Sequence, residues 1–165
     1  EHDAMVLKRS GELGLSGYTV RAENENYFQV KGQSALVAGK MDLVARKSGY
    51  AIVLDGKTGK QRNSDWWQVL LYMIFLPMAW SSGAMRISGE VFYKDGARVG
   101  IAPEEATNAI RQQVFTLIRS VGADAAWPFP KTPSVLGCGF CPIGRNDCDQ
   151  RMDAAATAVS ETKEF

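Results

Sequence analysis

Between residues 39 and 72 the chain spaces several residue types that suit phosphate chemistry. Gly39 and Asp42 stand three apart, Asp55 and Lys57 enclose Gly56, and Gln68 and Tyr72 follow at a separation of four. Asp55 closes an apolar stretch with strand character. Residues i and i+2 of a strand share a face, so Asp55 and Lys57 are expected to project together. A neighbouring strand ending at Asp42 could set a second carboxylate beside them. Two carboxylates brought together are costly unless they share a cation, and hard oxygen donors of this kind suit Mg²⁺ or Mn²⁺. A cation held there lowers the pKa of a bound water and polarises a phosphoryl oxygen. Lys57 could orient that water or offset the charge developing on the phosphate. Plainer readings exist for each piece. Asp-Gly is an ordinary turn signal, and Gln68 with Tyr72 could be a surface pair on a helix.

Taken in order, G-x-x-D, D-x-K and Q-x-x-x-Y resemble the RecB-like branch of the PD-(D/E)XK nucleases. The resemblance implies an α/β, restriction-endonuclease-like core with a mixed central β-sheet flanked by helices. It implies Asp42, Asp55, Lys57, Gln68 and Tyr72 as catalytic residues. It also implies a metal site built from Asp42, Asp55, the backbone carbonyl of Gly56 and His2, since many members carry a metal-binding histidine on a helix upstream of the first acid. His2 is the only histidine, and its chemistry alone reads equally well as a solvated side chain. The implied activity is metal-dependent hydrolysis of DNA, as an exonuclease on single strands or ends, in recombination, repair or CRISPR adaptation and within a larger complex. A catalytically silent DNA-binding or scaffolding module of the same fold is the first rival, which the intact acid pair and Lys57 argue against. An unrelated small-molecule-binding α/β domain, with D-G-K-T-G as a chance loop, is the second.

Composition narrows these options. A chain of 165 residues, 45% hydrophobic and 22% charged, can bury one proper core. Its formal net charge of +1 means that any contact with nucleic acid must come from a local patch. The start of the chain is polar and shows no signal-peptide pattern. The most apolar run, residues 69–80, contains Pro77 and is too short to span a bilayer. A cytoplasmic protein without a membrane partner is expected.

Cys138, Cys141 and Cys148 are the only cysteines and fall within eleven residues. An odd, tight set is a better metal-ligand cluster than a disulfide framework. Three thiolates need a fourth ligand to close a zinc or iron–sulfur site. C-x-x-C followed by a third cysteine is similar to the end of the iron–sulfur RecB-like nucleases, whose fourth cysteine lies upstream of the histidine and has no counterpart here. The interval from Cys141 to Cys148 is one residue longer than in that group. Zinc and free thiols remain alternatives. Residues 1–150 are expected to form the nuclease domain, with the cysteines at 138–148 and a tail at 151–165.

The elements that must position these residues follow from periodicity and turn chemistry. Residues 4–9 read as the last turns of a helix stopping at Gly11. No capping residue precedes it, so residues upstream are expected to be missing. Residues 18–23 and 27–31 read as a strand pair around Asn24-Glu25-Asn26. Residues 34–46 form a β-like run interrupted by Gly39. After a turn at Lys47-Ser48-Gly49, residues 50–55 are apolar on both faces, which marks a central strand. Residues 58–62 carry Lys60 and Arg62, either as a solvated loop or as a phosphate-tracking one. Asn63 or Ser64 is expected to cap a mostly apolar helix. Its Trp66 and Trp67 suit either the core or stacking on bases. Residues 86–93 and 97–101 predict a hairpin turning at Asp95-Gly96, and a helix opened by Pro103 runs to Gly122. Residues 127–133 form a proline-rich connector.

Overall fold

The computed structural model describes residues 1–22, 25–33, 35–80, 85–123 and 133–152. Two compact units are present, Glu1–Asp124 and Ala125–Phe165. Residues 127–132 of the expected connector and 153–165 of the tail lie outside the described residues.

In the first unit the strands are β1 (Thr19–Ala22), β2 (Tyr27–Lys31), β3 (Leu36–Lys40), β4 (Leu43–Lys47), β5 (Tyr50–Lys57), β6 (Arg86–Tyr93) and β7 (Arg98–Ile101). Its helices are α1 (His2–Leu15), α2 (Asn63–Ala79) and α3 (Asn108–Gly122). Five strands form one mixed sheet in the order β1-β4-β5-β6-β7, with β5 and β6 parallel and the other neighbours antiparallel. The parallel pair requires a crossover, which α2 supplies. As expected, β5 is central. Ala51 and Val53 pack with Val69, Leu70 and Met73 of α2, while Leu54 packs with Leu13 of α1, Leu43, Ala45 and Phe92. The fold is therefore a mixed α/β sheet with helices on its faces.

Several local expectations are corrected. The segment after Tyr18 does not pair with residues 27–31. Instead β1 pairs with β4, and β2 pairs with β3 as a separate two-stranded sheet. The run at 34–46 breaks at Met41 and Asp42 rather than at Gly39. The first helix continues four residues past Gly11 to Leu15. Each interior glycine costs about 1 kcal/mol of helix propensity, and tertiary contacts outweigh that cost. Leu13 is buried. The Arg9 guanidinium grips Glu90 through Nε and Nη2, both at 2.8 Å, and reaches Glu12 through Nη1 at 2.9 Å. This two-pronged geometry is among the stronger charge-assisted contacts.

Neither Asn63 nor Ser64 caps α2. The buried Asp65 carboxylate does so, its Oδ2 accepting from Arg62 N at 3.0 Å and from the Tyr93 hydroxyl at 3.1 Å. Pro103 opens only a 3-10 turn, Pro103–Glu105. α3 starts later because Thr107 Oγ1 accepts from Ile110 N at 3.2 Å, an N-cap that resets the helix start. Trp66 packs partly into the core, and Trp67 is 43% exposed. No helix among the described residues is long and apolar enough to cross a membrane.

In the second unit α4 (Val135–Phe140) is capped by Ser134 Oγ, which accepts from Gly137 N at 3.0 Å. Cys138 is buried, and its Sγ accepts from Met152 N at 3.4 Å. Arg151 Nη1 donates to the Cys141 carbonyl at 3.2 Å and also to that of Ile143.

Candidate active site

The β4–β5 hairpin turns on Ser48 and Gly49, with φ of 45° and 82°. Both are left-handed, the requirement of the tight two-residue turn whose twist matches the strands. That turn fixes the register Leu43↔Leu54, and one further step sets Asp42 opposite Asp55. A one-residue slip would send every side chain to the other face. Asp55 and Lys57 share the sheet face covered by α2, as the i, i+2 rule predicts.

Gln68 and Tyr72 of α2 meet them there. Gln68 Oε1 accepts from Lys57 Nζ at 2.8 Å, and Gln68 Nε2 donates to Tyr72 Oη at 2.7 Å and to Asp55 Oδ1 at 3.3 Å. Lysine only donates and carboxylate only accepts, so the two charged neighbours leave one orientation open to the amide. Tyr72 passes the chain of bonds on, donating to the Lys40 carbonyl at 3.0 Å. His2, in the first turn of α1, sets Nε2 at 3.0 Å from Asp42 Oδ2, and Gly56 N donates to the same oxygen at 2.7 Å. All six side chains expected from the sequence, those of His2, Asp42, Asp55, Lys57, Gln68 and Tyr72, thus come together. The hydrogen bond of Gly56 in this set is through its N–H.

Asp55 is 4% exposed. Burial pushes its carboxyl above the usual range, Lys57 pulls it back, and Asp42 adds to the rise. Lys57 Nζ lies against the buried Asp55 Oδ2 at 2.5 Å, the close ion pair of this carboxylate. Burial alone would lower the His2 value, but its hydrogen bond and charge contact with Asp42 outweigh this and raise it. The Tyr72 hydroxyl is raised by burial, against the pull of the Gln68 bond.

The acid pair is the observation that bears on a cation. Burial raises the Asp55 carboxyl and the neighbouring Asp42 adds to the rise, a cost that a hard divalent ion shared by the two carboxylates would offset. Asp42 meets both of its partners through Oδ2, leaving Oδ1 without a hydrogen bond among the described residues. The donor set therefore fits a divalent cation. Among the described residues no three His, Cys, Asp or Glu side chains converge as a ready-made cage, because His2 is turned onto Asp42 and Lys57 covers Asp55. The same holds for Cys138, Cys141 and Cys148, whose thiols are not gathered into a ligand set.

Two supporting residues escaped the sequence. Asn26, taken there for a turn residue, is buried, and its Nδ2 donates to the carbonyls of Arg21 at 2.9 Å and Asp42 at 3.5 Å. Phe28 of β2 lies on Gly39, edge-on to Tyr72 at 6.1 Å between ring centroids. A Cβ at residue 39 would sit 2.5 Å from Phe28 Cε1 and 3.0 Å from Tyr72 Cε1. Only glycine lets the hairpin approach α2 this closely. Gly39→Ala is expected to lower stability by about 1–3 kcal/mol in urea unfolding. Cleavage should fall further than stability explains, because Tyr72 is displaced. Unfolding unchanged within 0.5 kcal/mol, a rough limit for neutral substitutions, would show that the rings yield freely.

The sheet thus carries two acids and a lysine at the end of its central hairpin. The chain belongs to the PD-(D/E)XK nuclease superfamily, whose family model matches residues 7–145. Membership implies a nuclease that uses divalent metal such as Mg²⁺ and acts on DNA. Among solved structures, the chain is similar to the crystal structure of SSO0001, with 15% identity, a TM-score of 0.48, and 91% of this chain and 69% of that one covered. A search of curated proteins found no match.

Proposed function

We propose that the chain is a RecB-like, divalent-metal-dependent deoxyribonuclease acting exonucleolytically on single-stranded DNA or DNA ends. The observation that carries the nuclease reading is the buried Asp55 carboxylate, set beside Asp42 and bordered by Lys57 and the Gln68–Tyr72 pair; the RecB-like and exonuclease parts rest on the resemblance. Asp42, Asp55, His2 and the Gly56 carbonyl would hold Mg²⁺ or Mn²⁺, which when bound polarises a phosphoryl oxygen and lowers the pKa of bound water. Lys57 Nζ, steered by Gln68 Oε1, supplies positive charge where the phosphate becomes more negative. Gln68 and Tyr72 align the strand, and the burial of Asp55 keeps bulk water from screening these charges. A role in recombination, repair or CRISPR adaptation, as part of a larger complex, follows from the RecB-like resemblance. An iron–sulfur cluster at Cys138, Cys141 and Cys148 has the same basis and would need a fourth ligand.

The test uses end-labelled linear and circular single-stranded DNA with Mg²⁺, Mn²⁺ or EDTA, for the wild-type chain and Lys57→Ala. Metal-dependent degradation, reduced by about 10²–10³-fold in the variant, is expected from the loss of one charged group at the reacting phosphate. Sparing of the circle marks an exonuclease. Absence of cleavage by the folded, metal-loaded chain would leave a silent DNA-binding module of the same fold.

A further inference from the structure

Past the end of β5 lies a second cleft, of about 310 Å³, lined by Gln61, Arg62, Asn63, Trp66, Tyr93 and Val99. Its size falls in the range of roughly 300–1,000 Å³ typical of ligand sites. Its Tyr93 wall neighbours the acid–lysine site in the sheet. Lys57 pairs in register with Tyr93 across the parallel β5–β6 ladder, and Lys94 N donates to the Lys57 carbonyl at 3.1 Å. On α2, Trp66 is two residues from Gln68, about 200° around the helix axis. The start of α2 and the loop before it thus line the cleft, while Gln68 one turn on faces Lys57 and Asp55.

The cleft is held in shape by a group that catalysis does not use. The buried Asp65 Oδ2 binds both Arg62 N and the Tyr93 hydroxyl, tying the loop to β6. No carboxylate lines the cleft. The Arg62 guanidinium has no acidic partner among the described residues, and neither has Lys60 two residues earlier. The lining includes the residues that carry an indole (Trp66), a forked cation (Arg62) and two amides (Gln61 and Asn63). An indole offers a stacking surface that every base can use, a guanidinium matches phosphate oxygens in two-pronged fashion, and the amides both donate and accept.

We propose that this cleft is a nucleotide subsite of the DNA strand, taking the base next to the scissile phosphate against Trp66 and its phosphate on Arg62. The inference rests on the nuclease reading above and adds a second point of grip. It makes Trp66 and Arg62 strand-binding residues, and it accounts for a buried acid placed beside a basic loop.

The test measures binding of a fluorescent twelve-nucleotide oligothymidylate to the full chain in EDTA, where nothing is cut, together with cleavage of linear DNA in Mg²⁺. Trp66→Leu is expected to weaken binding by about 5- to 100-fold, the contribution of one stacked base. Trp66→Phe should restore most of it, which a purely structural tryptophan would not require. Arg62→Gln should reduce the slope of log affinity against log salt by about 1. In cleavage the loss should fall on KM rather than kcat. Binding and KM within twofold of wild type in both Trp66→Leu and Arg62→Gln would overturn the subsite, even if Lys57-dependent cleavage is intact. A chain that binds in a Trp66- and Arg62-dependent way yet cuts nothing would keep the subsite and sink catalysis. Equal weakening by Trp66→Phe and Trp66→Leu would also overturn it.

Discussion

Asp55→Asn is expected to reduce DNA cleavage by about 10³-fold while leaving the protein at least as stable as wild type in EDTA. The loss follows because a neutral amide can neither hold a hard cation as a carboxylate does nor keep Lys57 charge-paired. The stability follows from the sign of the Asp55 shift. Burial holds its carboxyl above the ordinary value of about 3.9. Its protonated form therefore favours folding, and the stability it contributes is fully present below pH ~3.9 and lost as pH rises through the folded value. At pH 8 the ionised group opposes folding, and the asparagine relieves that strain. Melting in EDTA should therefore show Asp55→Asn equal to or above wild type at pH 8, with the difference closing toward pH 4. A variant that melts several degrees lower at pH 8 would make Asp55–Lys57 a structural ion pair and remove the electrostatic argument for a cation. Such a gain in stability on loss of function is the usual mark of a strained functional site.

Leu54→Ala should give the largest loss of stability, about 2–5 kcal/mol, or roughly 5–15 °C in melting temperature for a domain of this size. Leu54 is fully buried, between Leu13 of α1 and the sheet. A cavity there loosens the docking of α1 and with it the placement of His2 on Asp42. Leu7, by contrast, lies on α1 at 75% exposure, and Leu7→Ala should stay within about 0.5 kcal/mol. If the two variants melt alike, α1 does not depend on this packing. Thermal scans of both in one buffer decide the point.

The sequence marks Leu54 as buried in a central strand but does not rank Leu7 against Leu13 in the first helix. Hydropathy is the same for those two, and only the docking of α1 on the sheet separates them. The same limit applies to glycines. Gly11 reads as a helix stop and Gly39 as a strand break, because each lowers local propensity. In the folded chain Leu13 and the Arg9–Glu90 grip carry α1 through Gly11, and Gly39 stays inside β3 since the Phe28 and Tyr72 rings occupy the space a Cβ would need. Strand partners were also hidden. Turn chemistry at Asn24-Glu25-Asn26 argues for a local hairpin, yet β1 crosses to β4, where Val20 joins the core under α1. Non-local burial outweighed a local signal.

What was legible is the chemistry that depends on short spacing. The two-residue step from Asp55 to Lys57 and the four-residue step from Gln68 to Tyr72 each fix a shared face from backbone geometry alone, whatever surrounds them. The all-apolar run ending at Asp55 marks the central strand for the same reason. By itself, then, the sequence determined a mixed α/β chain with an acid–lysine site at the end of a buried strand. The resemblance placed His2 with Asp42, and the fold sets the two in contact across forty residues. The tertiary structure alone decided that Lys57 sits on the buried Asp55 Oδ2 and that Asp65 ties Arg62 and Tyr93 together beside a second cleft. These depend on which distant surfaces become buried together, a property of the packed whole that no local window of residues contains.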